Sequence, residues 1–398
     1  MKTGIITFHA AMNYGSALQA FALQEYLTAR GHSVEIIDFR SQAQERLYPS
    51  PVCFNSIYNA KQSVRRLVTG WDEIRFMKRK RASFRHFLQT RMQLTDRRFR
   101  SGSDLRRQNW SGFGMLVSGS DQIWNVSAAD FSTAYFLDFI RRGQGPAKIA
   151  YAPSSGPGIH PEPGNTGLEE RLRDLLSEYD SISVREETTA ACLKESGLVA
   201  PGTEVHVMPD PVLLHDADFY RERLSSGLSH ALPVSRPYIL FYCPGKRDTR
   251  AEMLADSVAA GMMADGASGI LPPEERPEIV RVTDGASAGQ SISASSVMSV
   301  RMETLPCGPE EFLSLVDGAI CTVGTSFHLM AFSMLFGKDH VCPDAASDSR
   351  KIQLLRAAGL APESVYFRFS DPSVQEKAAA SLAVLRRKAG TFWAACGA

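Results

Sequence analysis

Thr3-Gly4-Ile5-Ile6-Thr7-Phe8, then Ser16 to Arg30, then Val34-Glu35-Ile36-Ile37-Asp38-Phe39, set the architecture of this chain. The first run is short and apolar, as in a buried strand. The second carries Leu18, Phe21, Ala22, Leu23 and Leu27 at helical spacing and stops at Gly31. The third is again strand-like. A strand, a crossover helix and a second strand within forty residues make a right-handed βαβ unit with parallel strands.

The alternation continues outward from that unit. Strand-like runs lie at Met115–Val117, Lys148–Ala152, Ser181–Val184 and Val205–Met208, with helical stretches at Gly167–Tyr179 and Glu186–Glu195. A second series begins at Tyr238–Tyr242 and continues at Glu278–Val282, Ala319–Val323 and His340–Cys342. Two successive βα series predict two Rossmann-like, doubly wound α/β domains facing a cleft. The boundary falls between Pro211 and Pro237, where a helical pattern gives way to Ser, Gly and two prolines. This divides the chain into residues 1–225 and 226–398. Gly285 to Ser299, rich in Gly, Ala and Ser, reads as a mobile loop of the second half.

The 398 residues exceed what one core usually serves. The 44% apolar and 22% charged composition is that of a globular protein, and a net charge of +1 gives no general pull toward nucleic acid. Seven scattered cysteines include no C-x-x-C, so neither a disulfide framework nor a zinc knuckle is indicated, and a reducing cytoplasm is the expected location. Neither a signal-peptide core nor a membrane span is legible.

Residues 61–100 depart from this balance, with thirteen basic side chains against Asp72, Glu73 and Asp96. Phe76, Met77, Phe84, Phe87 and Leu88 keep helical spacing there, which predicts a basic amphipathic helix or helix pair inserted in the first domain. A solvated face is one reading. The other is a peripheral contact with anionic lipid at the inner membrane face, made by Lys78-Arg79-Lys80-Arg81 and the flanking aromatic residues.

Three loops follow strands and open helices, where open α/β sheets bind ligands. In Asn13-Tyr14-Gly15-Ser16, Gly15 permits close backbone approach, and Asn13 or Ser16 can cap the next helix and leave its amides facing an anion; plain capping accounts for these residues nearly as well. Ser118 to Asn125 sets Ser120, Asp121, Gln122 and Asn125 behind an apolar strand, dense polarity for a turn that only reverses the chain. In Gly324-Thr325-Ser326-Phe327-His328, a histidine able to exchange a proton near neutral pH stands at a helix start, where Thr325, Ser326 and the amides can hold an anion. The chain has no G-x-x-x-x-G-K-[ST], G-x-G-x-x-G or H-E-x-x-H, which sets aside P-loop, dinucleotide and zinc-hydrolase chemistry.

Taken in order, these pieces resemble the polysaccharide pyruvyl transferase family. They comprise Gly4–Phe8 with Asn13-Tyr14-Gly15 and Leu18-Gln19-Ala20; Gly119–Asn125; Tyr135-Phe136-Leu137; Ile149–Ala152; Ser183–Glu186; Asp210-Pro211; Gly308–Phe312; Ser326-Phe327-His328; and Arg350. The resemblance implies a glycosyltransferase-B-like fold. It also implies transfer of an enolpyruvyl unit from phosphoenolpyruvate, a co-substrate with no further cofactor or metal, to the hydroxyls of a nucleotide- or lipid-linked sugar, closing a pyruvate ketal in exopolysaccharide or envelope synthesis. By the family motif His328 is the acid, Arg185 grips phosphate or carboxylate, and Asp121 positions the acceptor hydroxyl beside Ser120, Gln122 and Asn13. Where family members carry an arginine two positions before the histidine, this chain has Ser326, and Arg350 is the candidate for the missing charge. A nucleotide-sugar glycosyltransferase and a non-catalytic polysaccharide-binding protein are the competing expectations. In the second half the helical E-x7-E pair usual in the former occurs only as Glu303/Glu311, interrupted by prolines, while Glu187/Glu195 lies in the first half.

Overall fold

A computed structural model describes residues 1–54, 57–156, 159, 166–224, 237–245, 247–261, 276–283 and 302–397. The loop expected at Gly285 to Ser299 and residues 225–236 of the expected boundary segment lie outside the described residues.

The first domain is one parallel sheet of β1 (Lys2–Ile6), β2 (Ser33–Ile36), β3 (Met115–Ser118), β4 (Ala147–Ala150), β5 (Ser181–Val184) and β6 (Val205–Val207), in the order β2-β1-β3-β4-β5-β6. Strand order reverses between β1 and β3, and such a reversal opens a crevice at the carboxyl ends of the strands. The second sheet contains β7 (Tyr238–Tyr242), β8 (Glu278–Val282), β9 (Met302–Leu305), β10 (Cys321–Gly324), β11 (Asp339–Val341) and β12 (Tyr366–Phe367). Its order is β12-β11-β10-β7-β8-β9, parallel except for the β11–β12 edge, with the reversal between β7 and β10. The expected pair of doubly wound domains is therefore present. The sequence reading passed over β9 and β12. The latter is two residues long, too short for any periodicity.

The helix between β1 and β2, α1 (Tyr14–Thr28), has thirteen of its fifteen residues buried, more than one sheet can cover. Its other side is covered by two helices of the second domain, α10 (Pro309–Gly318) and α11 (Phe327–Phe336). Gly324, at the end of β10, is held to glycine by the sheet, since a Cβ there would lie 1.9 Å from the Tyr242 carbonyl oxygen. The last helix, α13 (Pro372–Ala395), returns the chain to the first domain. Trp393 stacks on Tyr151 with centroids 4.9 Å apart, and Arg386 donates to the carbonyls of Leu213 and His215.

The basic segment forms two helices, α3 (Ile57–Thr69) and α4 (Trp71–Arg91). Their placement corrects the expected lipid contact. Met77, Lys80, Phe84 and Phe87 share the inner face of α4, with Lys80 1% exposed and its ammonium 4.8 Å from the Tyr14 ring centroid. Arg81 is half-buried and donates to the carbonyls of Tyr48 and Pro49. Helical periodicity thus divides Lys78–Arg81, with Lys78 and Arg79 outward.

His340 is fully buried, and His215 is half-buried with its Nε2 against the Ala22 carbonyl at 2.9 Å. Burial, with Arg386 nearby, pushes His215 down to about 4, and burial, with Lys351, pushes His340 down to about 3. Both stay neutral in the folded protein at pH values where an unfolded histidine takes up a proton. Their contribution is therefore complete above the ordinary histidine value of about 6.5 and is lost as pH falls toward 4, at about 1 kcal/mol per pH unit for each. Thermal denaturation should show a shallower loss of stability between pH 6.5 and pH 4 in His215→Gln and His340→Gln than in the native chain. Parallel curves would contradict the assignment.

Candidate active site at the domain junction

The two strand-order reversals face one another, and the loops that follow them meet. From the first domain come the turn before α1 and the loop after β3. Asn13 caps α1, accepting from the Ser16 amide at 3.2 Å. Gly15 lies against His328, so that a Cβ there would sit 1.9 Å from its Nδ1 atom. Ser16 donates its hydroxyl to Asp121 Oδ2, while Asp121 Oδ1 accepts from the Gln122 amide at 2.8 Å. Asp121 has φ 76°, a left-handed conformation that a non-glycine residue adopts at a cost of about 1–3 kcal/mol. Such strain aims the carboxylate at the crevice and is held there by the Ser154 amide, which donates to the Asp121 carbonyl at 2.7 Å.

From the second domain, Ser326 caps α11 by accepting from the Leu329 amide at 3.3 Å, and the helix presents Phe327 and His328 in its first turn. Thr325 lies beside the buried thiol of Cys243, which burial pushes up to about 11 although hydrogen bonds from Thr325 oppose this.

Between them stands Asp210, wholly buried just after β6 and before Pro211, which opens a single 3-10 turn, Pro211–Leu214. Its Oδ1 accepts from the Val212 amide at 3.1 Å. Its Oδ2 takes Arg185 Nη1 at 2.5 Å, lies 3.4 Å from His328 Nε2 and stands 3.5 Å from the Ser120 hydroxyl. Arg185, 3% exposed, also donates through Nε to Glu186 at 2.9 Å, and Glu186 is held by Thr189. Burial alone would raise the Asp210 carboxyl, but His328 and Arg185 outweigh it and hold it well below the usual carboxylate range. Burial likewise works against the Arg185 charge, and Glu186 and Asp210 more than offset it, so Arg185 is locked as a cation.

Two buried donors at this carboxylate have no hydrogen-bond partner among the described residues: Arg185 Nη2 and His328 Nε2, the latter at ion-pair distance from Asp210 but outside hydrogen-bond geometry. Each buried donor without a partner calls for an explanation, and two beside one carboxylate make this a candidate place for an anionic group. Arg185, Asp210, Phe327 and Arg350 line one wall of a cavity of about 560 Å³ between the domains. The guanidiniums of Arg185 and Arg350 lie 5.1 and 5.7 Å from the Phe327 ring centroid, and Arg350 is paired in a fork with Asp348 at 2.6 and 2.9 Å.

The structure brings together Gly15, Ser120, Asp121, Arg185, Ser326 and His328, with Arg350 across Phe327. Gln122 and Asn125 hydrogen-bond to each other at 3.3 Å beside Gly156 and shape the loop. Tyr14 departs from its expected place among acceptor-facing residues. It is fully buried, stacks on Phe312 at 4.5 Å and donates to the carbonyls of Thr283 and Cys307, so it fastens the domains together. The sequence reading gave no role to Asp210 or Glu186. The available signal was an acid two or three residues past the end of a strand in each case.

The fold is one of two parallel-sheet α/β domains, and the candidate site lies where their strand-order reversals meet. The model of the polysaccharide pyruvyl transferase family matches residues 13–342, and the chain belongs to that family, a family of transferases. A comparison with curated proteins found no match. Among solved structures, an S. aureus MnaA–UDP co-structure is 10% identical, covering 95% of this chain and 86% of that one at a TM-score of 0.44. UDP-N-acetylglucosamine 2-epimerase from Rickettsia bellii is 8% identical, covering 99% and 96% at 0.43. An E. coli heptosyltransferase with ADP-2-deoxy-2-fluoro heptose is 14% identical, covering 86% and 88% at 0.34.

The closeness of Gly15 to His328 gives a direct test. Gly15→Ala should crowd the ring, lower stability by about 1–3 kcal/mol as overpacking does, and cut turnover. The double variant Gly15→Ala with His328→Ala should regain most of that stability, read by denaturant unfolding. Equal stability of the single variant and the native chain would place the two residues apart.

Proposed function

We propose that this protein transfers an enolpyruvyl unit from phosphoenolpyruvate to two hydroxyls of one sugar, with the donor's carboxylate or phosphate received by Arg185 Nη2 and His328 Nε2. The orphaned pair of donors beside Asp210 carries the reading, and the family supports it. In the reaction, the Nε2 proton of His328, held by the donor's oxygen on binding, passes to the methylene carbon of the donor. The sugar oxygen bonds to the resulting cationic centre while Asp121, aimed by Ser16, takes the hydroxyl proton. The bond to phosphate then breaks, and the second hydroxyl closes the ketal as its proton goes to the departing phosphate.

Charge decides how the donor is held. Arg185 faces Asp210 and Glu186, and Arg350 faces Asp348, so three acids stand against two guanidiniums before His328 is counted. A donor with roughly three negative charges therefore needs His328 as a cation and release of the Arg350 fork from Asp348. Ser326, spent on capping α11, supplies none of that charge. This count also supports a second reading, transfer from a nucleotide sugar, whose diphosphate carries less charge. The acceptor in either case is a nucleotide- or lipid-linked sugar of exopolysaccharide or envelope synthesis, met in the cytoplasm or at the inner membrane face. Among the described residues no helix is long and apolar enough to cross a membrane.

Incubation with labelled phosphoenolpyruvate and a panel of linked sugars should release phosphate and add the pyruvyl mass to one of them. Release of a nucleoside diphosphate from a sugar donor, without any use of phosphoenolpyruvate, would establish the second reading instead. His328→Gln should fold normally and lose about a hundredfold or more in turnover, the scale of general acid catalysis. Arg185→Lys keeps the charge but loses the fork, so it should raise the donor KM more than the acceptor KM.

A further inference from the structure

Gln19, in the second turn of α1, is wholly buried. Its amide nitrogen donates to the Thr7 hydroxyl at 2.9 Å and to the Ser16 carbonyl at 3.0 Å, which uses both of its hydrogens. Both partners lead to Asp121. Thr7 donates to the Ser120 carbonyl at 2.8 Å, and the next peptide bond joins Ser120 to Asp121; Ser16 donates its hydroxyl to Asp121 Oδ2. These four hydrogen bonds close a ring through Gln19, Thr7, Ser120, Asp121 and Ser16, every one of them buried. The ring has one sense only. The Ser16 carbonyl can only accept, so the amide nitrogen must face it, and Thr7, accepting from that nitrogen, keeps its own hydrogen for Ser120. Gln19 Oε1 is left buried with no hydrogen-bond partner among the described residues. Buried polar atoms are ordinarily paired, so the orientation of this amide is set by its two donations and not by its oxygen.

The ring encloses the strained point of the site. Asp121 has φ 76°, and Gly119, two residues before it, lies so near Thr7 that a Cβ there would stand 3.1 Å from the Thr7 Cβ. Left-handed backbone persists at a non-glycine residue where its surroundings over-determine it. The Ser154 amide holds the Asp121 carbonyl from one side, and the ring holds the preceding peptide and the carboxylate from the other. We propose that Gln19 is a positioning residue for transfer: buried away from substrate, it acts through Thr7 and Ser16 to fix the backbone and the carboxylate of Asp121 where the acceptor hydroxyl gives up its proton. The inference rests on the reading of Asp121 as the base given above. A carboxylate free to turn would take that proton more slowly, while Arg185 and His328, which lie outside the ring, would receive the donor as before. The ring therefore acts on turnover and not on donor binding.

The test compares kcat and donor KM across Gln19→Met, Thr7→Val, Thr7→Ser, Asp121→Asn and Thr3→Val in the full chain. Gln19→Met and Thr7→Val keep the shape and lose the hydrogen bond. Thr3 lies at the far end of the same strand, wholly buried, with its hydroxyl 2.7 Å from His32 Nδ1, so Thr3→Val is a matched loss away from the site. Gln19→Met and Thr7→Val should each lower kcat about tenfold to a hundredfold, as displacing a catalytic group by about 1 Å does, with donor KM unchanged. Thr7→Ser, which keeps the hydroxyl, should hold kcat near the native value. Thr3→Val should hold it too, despite a similar loss of stability in denaturant. Gln19→Met combined with Thr7→Val should be no slower than the slower single variant, since one ring opens once. Native kcat in Gln19→Met and Thr7→Val beside an impaired Asp121→Asn overturns the inference and leaves the proposed function standing. An equal loss of kcat in Thr3→Val overturns it as well. Native kcat in Asp121→Asn removes the base assignment and the Gln19 role together. If the chain takes a nucleotide sugar as donor, the same comparison is read on that reaction, and if Gln19→Met does not fold, Thr7→Val against Thr7→Ser decides.

Discussion

One buried carboxylate organises this molecule. Asp210 takes Arg185 from its own domain and stands at ion-pair distance from His328 of the other, while its second oxygen is fixed by the Val212 amide. Removing one partner of a buried charge pair costs about 3–5 kcal/mol, since the remaining charge is left without water or counter-ion. The sequence around Asp210 serves that constraint. Pro211 starts a rigid turn, Ser120 adds a hydroxyl at 3.5 Å, and Glu186 occupies the second edge of the guanidinium, so that Arg185 keeps only Nη2 for a ligand. In the proposed function stability and activity are tied together here, because the groups that neutralise one another around Asp210 are those that the proposed anionic donor must partly displace.

The second constraint is the burial of α1 between the domains. Tyr14 reaches across to the backbone of the second sheet and carries Lys80 over its ring, while Gly15, one residue on, leaves room for His328. The same helix thus fixes how the domains sit and how far the imidazole stands from the loop after β3. Ion pairs at the rim, Arg91 with Glu310 at 2.7 Å and Arg221 with Asp317 at 2.8 Å, add to the joint without deciding it, being partly exposed. Asp121 in its left-handed conformation marks where geometry is held for chemistry at the expense of local backbone energy.

Much of this was legible from residues alone. Parallel strands buried on both faces read as apolar runs, and helices between them keep their period, so both doubly wound sheets could be traced. The loops after β1, β3 and β10 stood out because glycine and polar side chains followed apolar strands directly. What stayed hidden depended on distance in space. Asp210 and Glu186 look like ordinary residues after strands until the fold sets them around Arg185. Tyr14 looks like a ligand-facing aromatic until α10 closes on it. Lys80 belongs to a run of four basic residues, and only the helical phase, with an aromatic ring to receive its charge, turns it inward.

The central claim is that Arg185 Nη2 and His328 Nε2 jointly receive the anionic end of the donor. A crystal structure of the protein soaked with phosphoenolpyruvate tests it most directly. The account predicts a donor oxygen within hydrogen-bond distance of both atoms, with the methylene carbon facing His328 and the Arg350 fork turned from Asp348 toward the ligand. Phosphoenolpyruvate bound away from both atoms, with Arg185 and His328 still arranged around Asp210 alone, would contradict it.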